Sequence, residues 1–263
     1  MFKQKLWIRG AGDLATGIAV RLFRSGFRPV MSEIKNPTTV RRTVAFSPAI
    51  YEKSTVVEDI KGQFCENLIQ AEKLIFQNII PVMDDEKGKI MHTYKPNIIV
   101  DAIMAKKNLN TNINDAQIVI AVGPGFTVGK DCHAVIETKR GHNLGRVLWQ
   151  GTASKNTGIP GEISGESVNR IIRATNDGKF KSVSKIGDLV KKGDIVGYSG
   201  DCPMYAKIDG VVRGLLQDGL DVFAGMKSGD IDPRGNIENC YTISDKASAI
   251  GGGVLEAILS LLN

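Results

Sequence analysis

The 263-residue sequence predicts an α/β chain in two parts. Three observations carry this reading: a strand–glycine–helix–strand opening, further short apolar runs that each end at an acid or a glycine, and a gapless repeat late in the chain. The first two predict a parallel sheet with helical crossovers over residues 1–150. The third predicts a β-rich module with a C-terminal helix over residues 151–263.

Leu6 to Arg9 is a short apolar run that ends in Gly10-Ala11-Gly12-Asp13-Leu14-Ala15-Thr16-Gly17. From Ile18 to Arg24 apolar residues recur at helical spacing, and the pattern stops at Ser25-Gly26. Phe27 to Glu33 reads as a second strand ending in an acid. This order is that of a Rossmann-like, mononucleotide-binding βαβ unit. Gly10 permits the tight turn, Gly12 lets backbone approach a pyrophosphate, and Ala15 lets the helix pack closely on the sheet. Free N–H groups at the helix start attract negative charge. Glu33, 21 residues after Gly12, stands where an acid accepts hydrogen bonds from a ribose diol. Asp13 is discordant, because its carboxylate repels a pyrophosphate unless it turns outward to cap the helix.

Three more strands are expected at Ile79–Met83, Asn97–Asp101 and Gln117–Val122, with a helix over Glu66–Asn78. The last strand runs into Gly123-Pro124-Gly125. Parallel sheets of this kind gather ligand-binding loops at their carboxyl edge. Gly12, Glu33, Asp101, Gly123 and Gly125 are therefore expected around one crevice. Arg41 and Arg42, close behind Glu33, read either as a phosphate clamp or as a solvated basic turn.

Residues 123–151 are rich in functional groups. His133 and Glu137 share one face of an expected strand, and with His142 they are the candidates for acid–base chemistry. Three deep is the minimum for a metal site, and only His142 offers a third ligand, so no metal is expected. A hydrogen-bonded His133–Glu137 pair, or an anion site from Arg140, His142 and Arg146, is more economical. Cys132 points away from His133 on a strand, which disfavours it as a nucleophile. The four cysteines form no Cys-x-x-Cys pair, so no zinc knuckle or disulfide framework is expected.

Asp177-Gly178, Gly187, Val190 and Gly193 return 32 residues later as Asp209-Gly210, Gly219, Val222 and Gly225. This resembles the biotinyl/lipoyl type of β-hammerhead, a barrel-sandwich module. The joining hairpin, Tyr198 to Met204, has no lysine to modify, so the module reads as structural or interface-forming. In the tail, Ser244 reads as a helix N-cap. Gly251-Gly252-Gly253 interrupts a helical pattern, and with Lys246 it either completes an anion site or permits close packing.

The formal net charge is +6, yet no block of five or six basic residues occurs, so nucleic acid is not an expected partner. No apolar run approaches the roughly 18 residues of a membrane helix. The N-terminus leads straight into a strand rather than a signal peptide, and a cytoplasmic setting is expected.

Arg9 to Gly17, Glu33 with Pro37 to Phe46, Gly123 to Phe126, His133 to Arg146, Asp230 to Gly235 and Ile243 to Glu256 together resemble the YqeB-type accessory proteins of selenium-dependent molybdenum hydroxylase systems. The resemblance implies a role in maturing such an enzyme, with that hydroxylase or its other maturation proteins as partners. It also implies that the crevice takes an NAD-like dinucleotide or a molybdopterin nucleotide. It supplies no catalytic residue and leaves self-association open. Two other readings remain: an NAD(P)-dependent oxidoreductase using His133 or His142, and a non-enzymatic adaptor whose nucleotide site is vestigial.

Overall fold

The computed structural model describes residues 2–263. The chain forms two compact units, one made of residues up to Pro37 with 45–157 and 243–263, the other of 38–44 with 158–242. The last helix, expected in the second part, thus belongs to the first unit.

The strands of the first unit are β1 (Leu6–Arg9), β2 (Pro29–Glu33), β3 (Ser54–Val57), β4 (Ile60–Phe64), β5 (Ile80–Asp84), β6 (Ile98–Asp101), β7 (Ile118–Val122), β8 (Ala134–Ile136) and β9 (Val147–Leu148). They form one nine-stranded sheet in the order β3-β4-β5-β2-β1-β6-β7-β8-β9. Its helices are α1 (Asp13–Arg24), α2 (Ala49–Glu52), α3 (Leu68–Phe76), α4 (Lys89–Tyr94) and α5 (Asp245–Leu262). The central strands are apolar on both faces, as a sheet covered on both sides requires. Trp7 is fully buried, and its indole N–H donates to Ser32 Oγ at 3.0 Å, so the largest core side chain keeps its polar atom satisfied.

α1 buries Ala15, Ile18, Ala19 and Leu22, and α5 packs on it. A Cβ at Gly17 would lie 2.6 Å from Ala247 Cβ, and one at Gly253 would lie 2.1 Å from the Gly145 carbonyl oxygen. These glycines each cost about 1 kcal/mol of helix propensity relative to alanine. The close approach they permit lets α5 run unbroken through residues 251–253. Ser244 is the N-cap, accepting from Ala247 N–H.

The second unit contains β10 (Ile171–Arg173), β11 (Gly178–Ser182), β12 (Leu189–Val190), β13 (Ile195–Ser199), β14 (Cys202–Tyr205), β15 (Gly210–Leu215), β16 (Asp221–Val222) and β17 (Lys227–Asp232). They form two four-stranded sheets, β10-β17-β15-β12 and β14-β13-β11-β16. The repeat has a clear structural meaning: Gly178 pairs with Val222 and Gly210 pairs with Val190. Each copy therefore lends its short strand to the sheet that holds the long strand of the other.

The expected class, a Rossmann-like parallel sheet followed by a barrel-sandwich (biotinyl/lipoyl-like hammerhead) module, is corrected to a mixed α/β chain with three sheets. The first sheet is not purely parallel. A β3–β4 hairpin closes one edge and β9 runs back antiparallel to β8 at the other. The physical source of the hairpin is the two-residue Glu58-Asp59 turn, with Glu58 at φ +55°. The second unit is not a self-contained stretch of chain either, because it takes residues 38–44 from the first half. There Arg42 Nε donates to Leu215 O at 2.8 Å, and Arg41 Nη2 donates to Asn239 O at 3.1 Å.

Candidate functional site

Register places the carboxyl ends of the parallel strands in line. Arg9 pairs with Ser32 and Asp101, Asp101 with Ala121, and Val122 with Ile136. Gly10, Glu33, Ala102, Gly123 and Glu137 stand at or directly after these strand ends, so of the expected residues Glu33, Asp101 and Gly123 lie along one sheet edge.

The glycine turn after β1 is shaped largely by the protein itself. Gly10 has φ +98°, and a Cβ there would meet Ala102 O at 2.9 Å. Its N–H donates to Ser32 O at 2.8 Å. Glu33 does not stand open for a ribose. One carboxylate oxygen accepts from Ala11 N–H and the other from Ile34 N–H, both at 2.9 Å. Burial pushes the Glu33 carboxyl above the usual range, against the pull of the Ile34 and Ala11 bonds. Ala11 is buried, whereas Gly12, Asp13 and Leu14 are half-buried. Gly12 is the N-cap of α1, and it brings no capping side chain to the helix start. Ala15 is buried, in keeping with close helix–sheet packing.

Asp101 is spent on structure. It pairs with Arg9 at 3.2 Å, accepts from Thr111 Oγ1, and accepts from Ile103 N–H at 3.2 Å. Gly123 and Gly125 have φ +81° and +109°, and a Cβ on Gly125 would lie 2.6 Å from Lys107 Cα. Gly125 packs against backbone, and Gly123 against the side chains of Thr138 and Met104. Arg41 and Arg42 bond within the second unit, as given above.

The turn after β8 differs in kind. Glu137 accepts from Thr138 N–H at 2.7 Å, Lys139 N–H at 2.8 Å and Ser154 N–H at 2.8 Å. Burial alone raises its pKa, but the bonds from Lys139, Ser154 and Thr138 outweigh it and hold the carboxyl below the usual range. His133 Nδ1 accepts from Val119 N–H at 3.0 Å, which places the ring proton on Nε2. His142 and Arg146 are exposed. The guanidinium of Arg140 holds Asp245 through both carboxylate oxygens, at 2.6 and 3.1 Å. Cys132 is buried, and that pushes its thiol up to about 12, far from a thiolate.

Lys246, in the first turn of α5, completes the picture. Burial and then the charge of Arg140 push its ammonium below the ordinary lysine range, while Asp13, Asp245 and Glu137 act the other way. No hydrogen bond or salt bridge reaches this ammonium from the described residues. The site thus combines a half-buried helix start at Gly12–Leu14, an unsaturated cation on Lys246 and a second cation on Arg140. Among the described residues no cluster of three His, Cys, Asp or Glu side chains could hold a metal ion.

No protein-family model matches the chain. Over 260 residues, 99% of its length, it is 49% identical to "Uncharacterized protein YqeB" of Escherichia coli K12. The match supports the YqeB-type family. The chain spans 48% of that relative's length. Among solved structures it is similar to an aspartoacylase family protein of Mesorhizobium loti, with 12% identity, a TM-score of 0.28, and coverage of 86% of this chain and 84% of the other. A succinylglutamate desuccinylase of Silicibacter gives 12% identity and a TM-score of 0.25, over 87% of this chain and 84% of the other. Neither substrate nor mechanism follows from likenesses so weak. No helix among the described residues is long and apolar enough to cross a membrane.

The sequence reading passed over Arg9, Thr111 and Ser154. Arg9 ends β1 directly beside Asp101, and a charged pair at matching ends of two central strands was the available signal. Ser154 donates its backbone N–H to Glu137, and a backbone donor leaves no signature in the sequence.

Proposed function

We propose that the chain is an accessory factor of a selenium-dependent molybdenum hydroxylase system, and that it binds a nucleotide or the nucleotide part of the molybdenum cofactor. The role rests on the YqeB-type resemblance. The binding reading rests on one observation, the unsaturated Lys246 ammonium at the sheet edge where α1 begins. A desolvated cation loses less on meeting an anion than a hydrated one does. Anions are also favoured at the start of a helix, where N–H groups lack partners. The phosphate would lie against Gly12–Leu14, Lys246 and Arg140, not at Ala11, whose N–H is already held by Glu33.

Thermal-shift titration of the folded protein with NAD, FAD, CTP, GTP and molybdopterin dinucleotides tests this reading. At least one ligand should raise the melting temperature of the native protein and fail to do so for Lys246→Met. The absence of any shift overturns it.

The Ala11–Glu33 bond favours a second reading, an adaptor whose glycine turn has closed on itself. Gly12→Val separates the two. An adaptor keeps its role in the cell with valine at this position, whereas a nucleotide binder loses it.

A further inference from the structure

A cavity of about 300 Å³ lies in the first unit, away from the glycine turn. Gly17, Val20, Arg21, Arg24 and Ser25 of α1 and its cap line one side, and Glu58, Ile243 and Ser248 line the other. At 1.5 Å rise per residue, Arg21 sits about 14 Å along α1 from Gly12, so this is a separate place on the same helix.

Its two arginines are not equivalent. Arg24 is committed to Glu58 at 2.8 Å and also pairs with Asp59. The other oxygen of Glu58 accepts from Ile243 N–H at 3.2 Å, so that carboxylate is occupied too. Arg21 makes one long bond, Nη2 to Ser248 O at 3.4 Å. Its stem is fixed by packing, since a Cβ on Gly251 would lie 3.1 Å from Arg21 Cβ. Arg21 is exposed on the pocket wall, and most of the five donors of its guanidinium are unused within the chain. The hydroxyls of Ser25 and Ser248 carry no hydrogen bond from the described residues. Val20 and Ile243 supply the apolar surface.

We infer that this cavity is a second ligand site of the chain, for a small organic anion: a carboxylate or phosphomonoester with a short apolar part. Arg21 holds the anionic group, Ser25 and Ser248 add hydroxyl donors, and the apolar part rests on Val20 and Ile243. A volume of about 300 Å³ is the lower end of ligand cavities and holds roughly ten waters, which limits the ligand to a small molecule. The inference goes beyond the nucleotide reading and shares no binding residue with it.

Calorimetric titration at low salt with butyl phosphate and with pentanoate tests it, with butylamine as the cationic control. At least one anion should bind the native protein and the amine should not. The stronger anion identifies the headgroup. Arg21→Met should weaken binding by roughly tenfold or more, the worth of a charge-assisted pair. Ser248→Leu, which fills the cavity, should abolish it, and Lys246→Met should leave it unchanged. Binding of neither anion, equal binding to Arg21→Met, or loss of binding in Lys246→Met instead would overturn the assignment.

Discussion

The turn after β1 and the turn after β8 lie on the same edge of one sheet, and backbone N–H groups of each bond to a glutamate: half-buried Glu33 at the end of β2 for the first, buried Glu137 within the second. Glu33 receives two such bonds and has its carboxyl pushed up. Glu137 receives three and has its carboxyl held down. Heavier desolvation at Glu33 and more donors at Glu137 together let hydrogen bonding outweigh desolvation in one place and not in the other. The comparison teaches that an acid at the expected position is not by itself a ligand group. Glu33 closes the glycine turn, whereas Glu137 anchors a loop near the Lys246 ammonium, which no hydrogen bond or salt bridge reaches from the described residues.

The largest expected effect comes from breaking the β8 side. Gly253→Ala forces a Cβ to within 2.1 Å of the Gly145 carbonyl and should cost about 3 kcal/mol of stability, read by urea melts. Gly252→Ala, at the neighbouring position with open space, should stabilise by about 1 kcal/mol instead. Equal effects at the two positions would show that α5 does not pack as described.

Next is Glu137→Gln, which removes a charged acceptor from three N–H groups and should cost about 2 kcal/mol at pH 7. Because the native carboxyl lies below its unfolded value, its contribution is present above roughly pH 4 and is lost as pH falls through the native value. The gap between native protein and variant should therefore narrow in acid. Glu33 predicts the opposite slope. Its raised pKa makes ionisation unfavourable to the fold, so its contribution falls as pH rises above roughly 4. Glu33→Gln should cost less than about 1 kcal/mol at pH 7, and its standing against the native protein should improve with rising pH. Parallel pH slopes for the two variants would remove the distinction between the turns.

Much of the first unit was legible. The strands at β1, β2, β5, β6 and β7 announce themselves as short apolar runs, and the Ser244 cap as a hydroxyl before a helical pattern. The β3–β4 hairpin was missed because its turn residues are Glu58 and Asp59, not the glycine or asparagine that usually marks a left-handed turn position. The affiliation of residues 38–44 was illegible for another reason. Arg41 and Arg42 bond to backbone carbonyls at Asn239 and Leu215, and a carbonyl has no side-chain signature. For the same reason Glu33 read as a ribose acid: its partner, the Ala11 N–H, is a group that every residue but proline carries.

Lys246 decides whether the edge of this sheet is a binding site. Calorimetry with the nucleotide that gives the largest thermal shift, run on the native protein and on Lys246→Met at two ionic strengths, is the most direct measurement. Binding should weaken with salt and fall by roughly tenfold in the variant, which itself remains folded. Binding of equal strength in both proteins would contradict this role of Lys246.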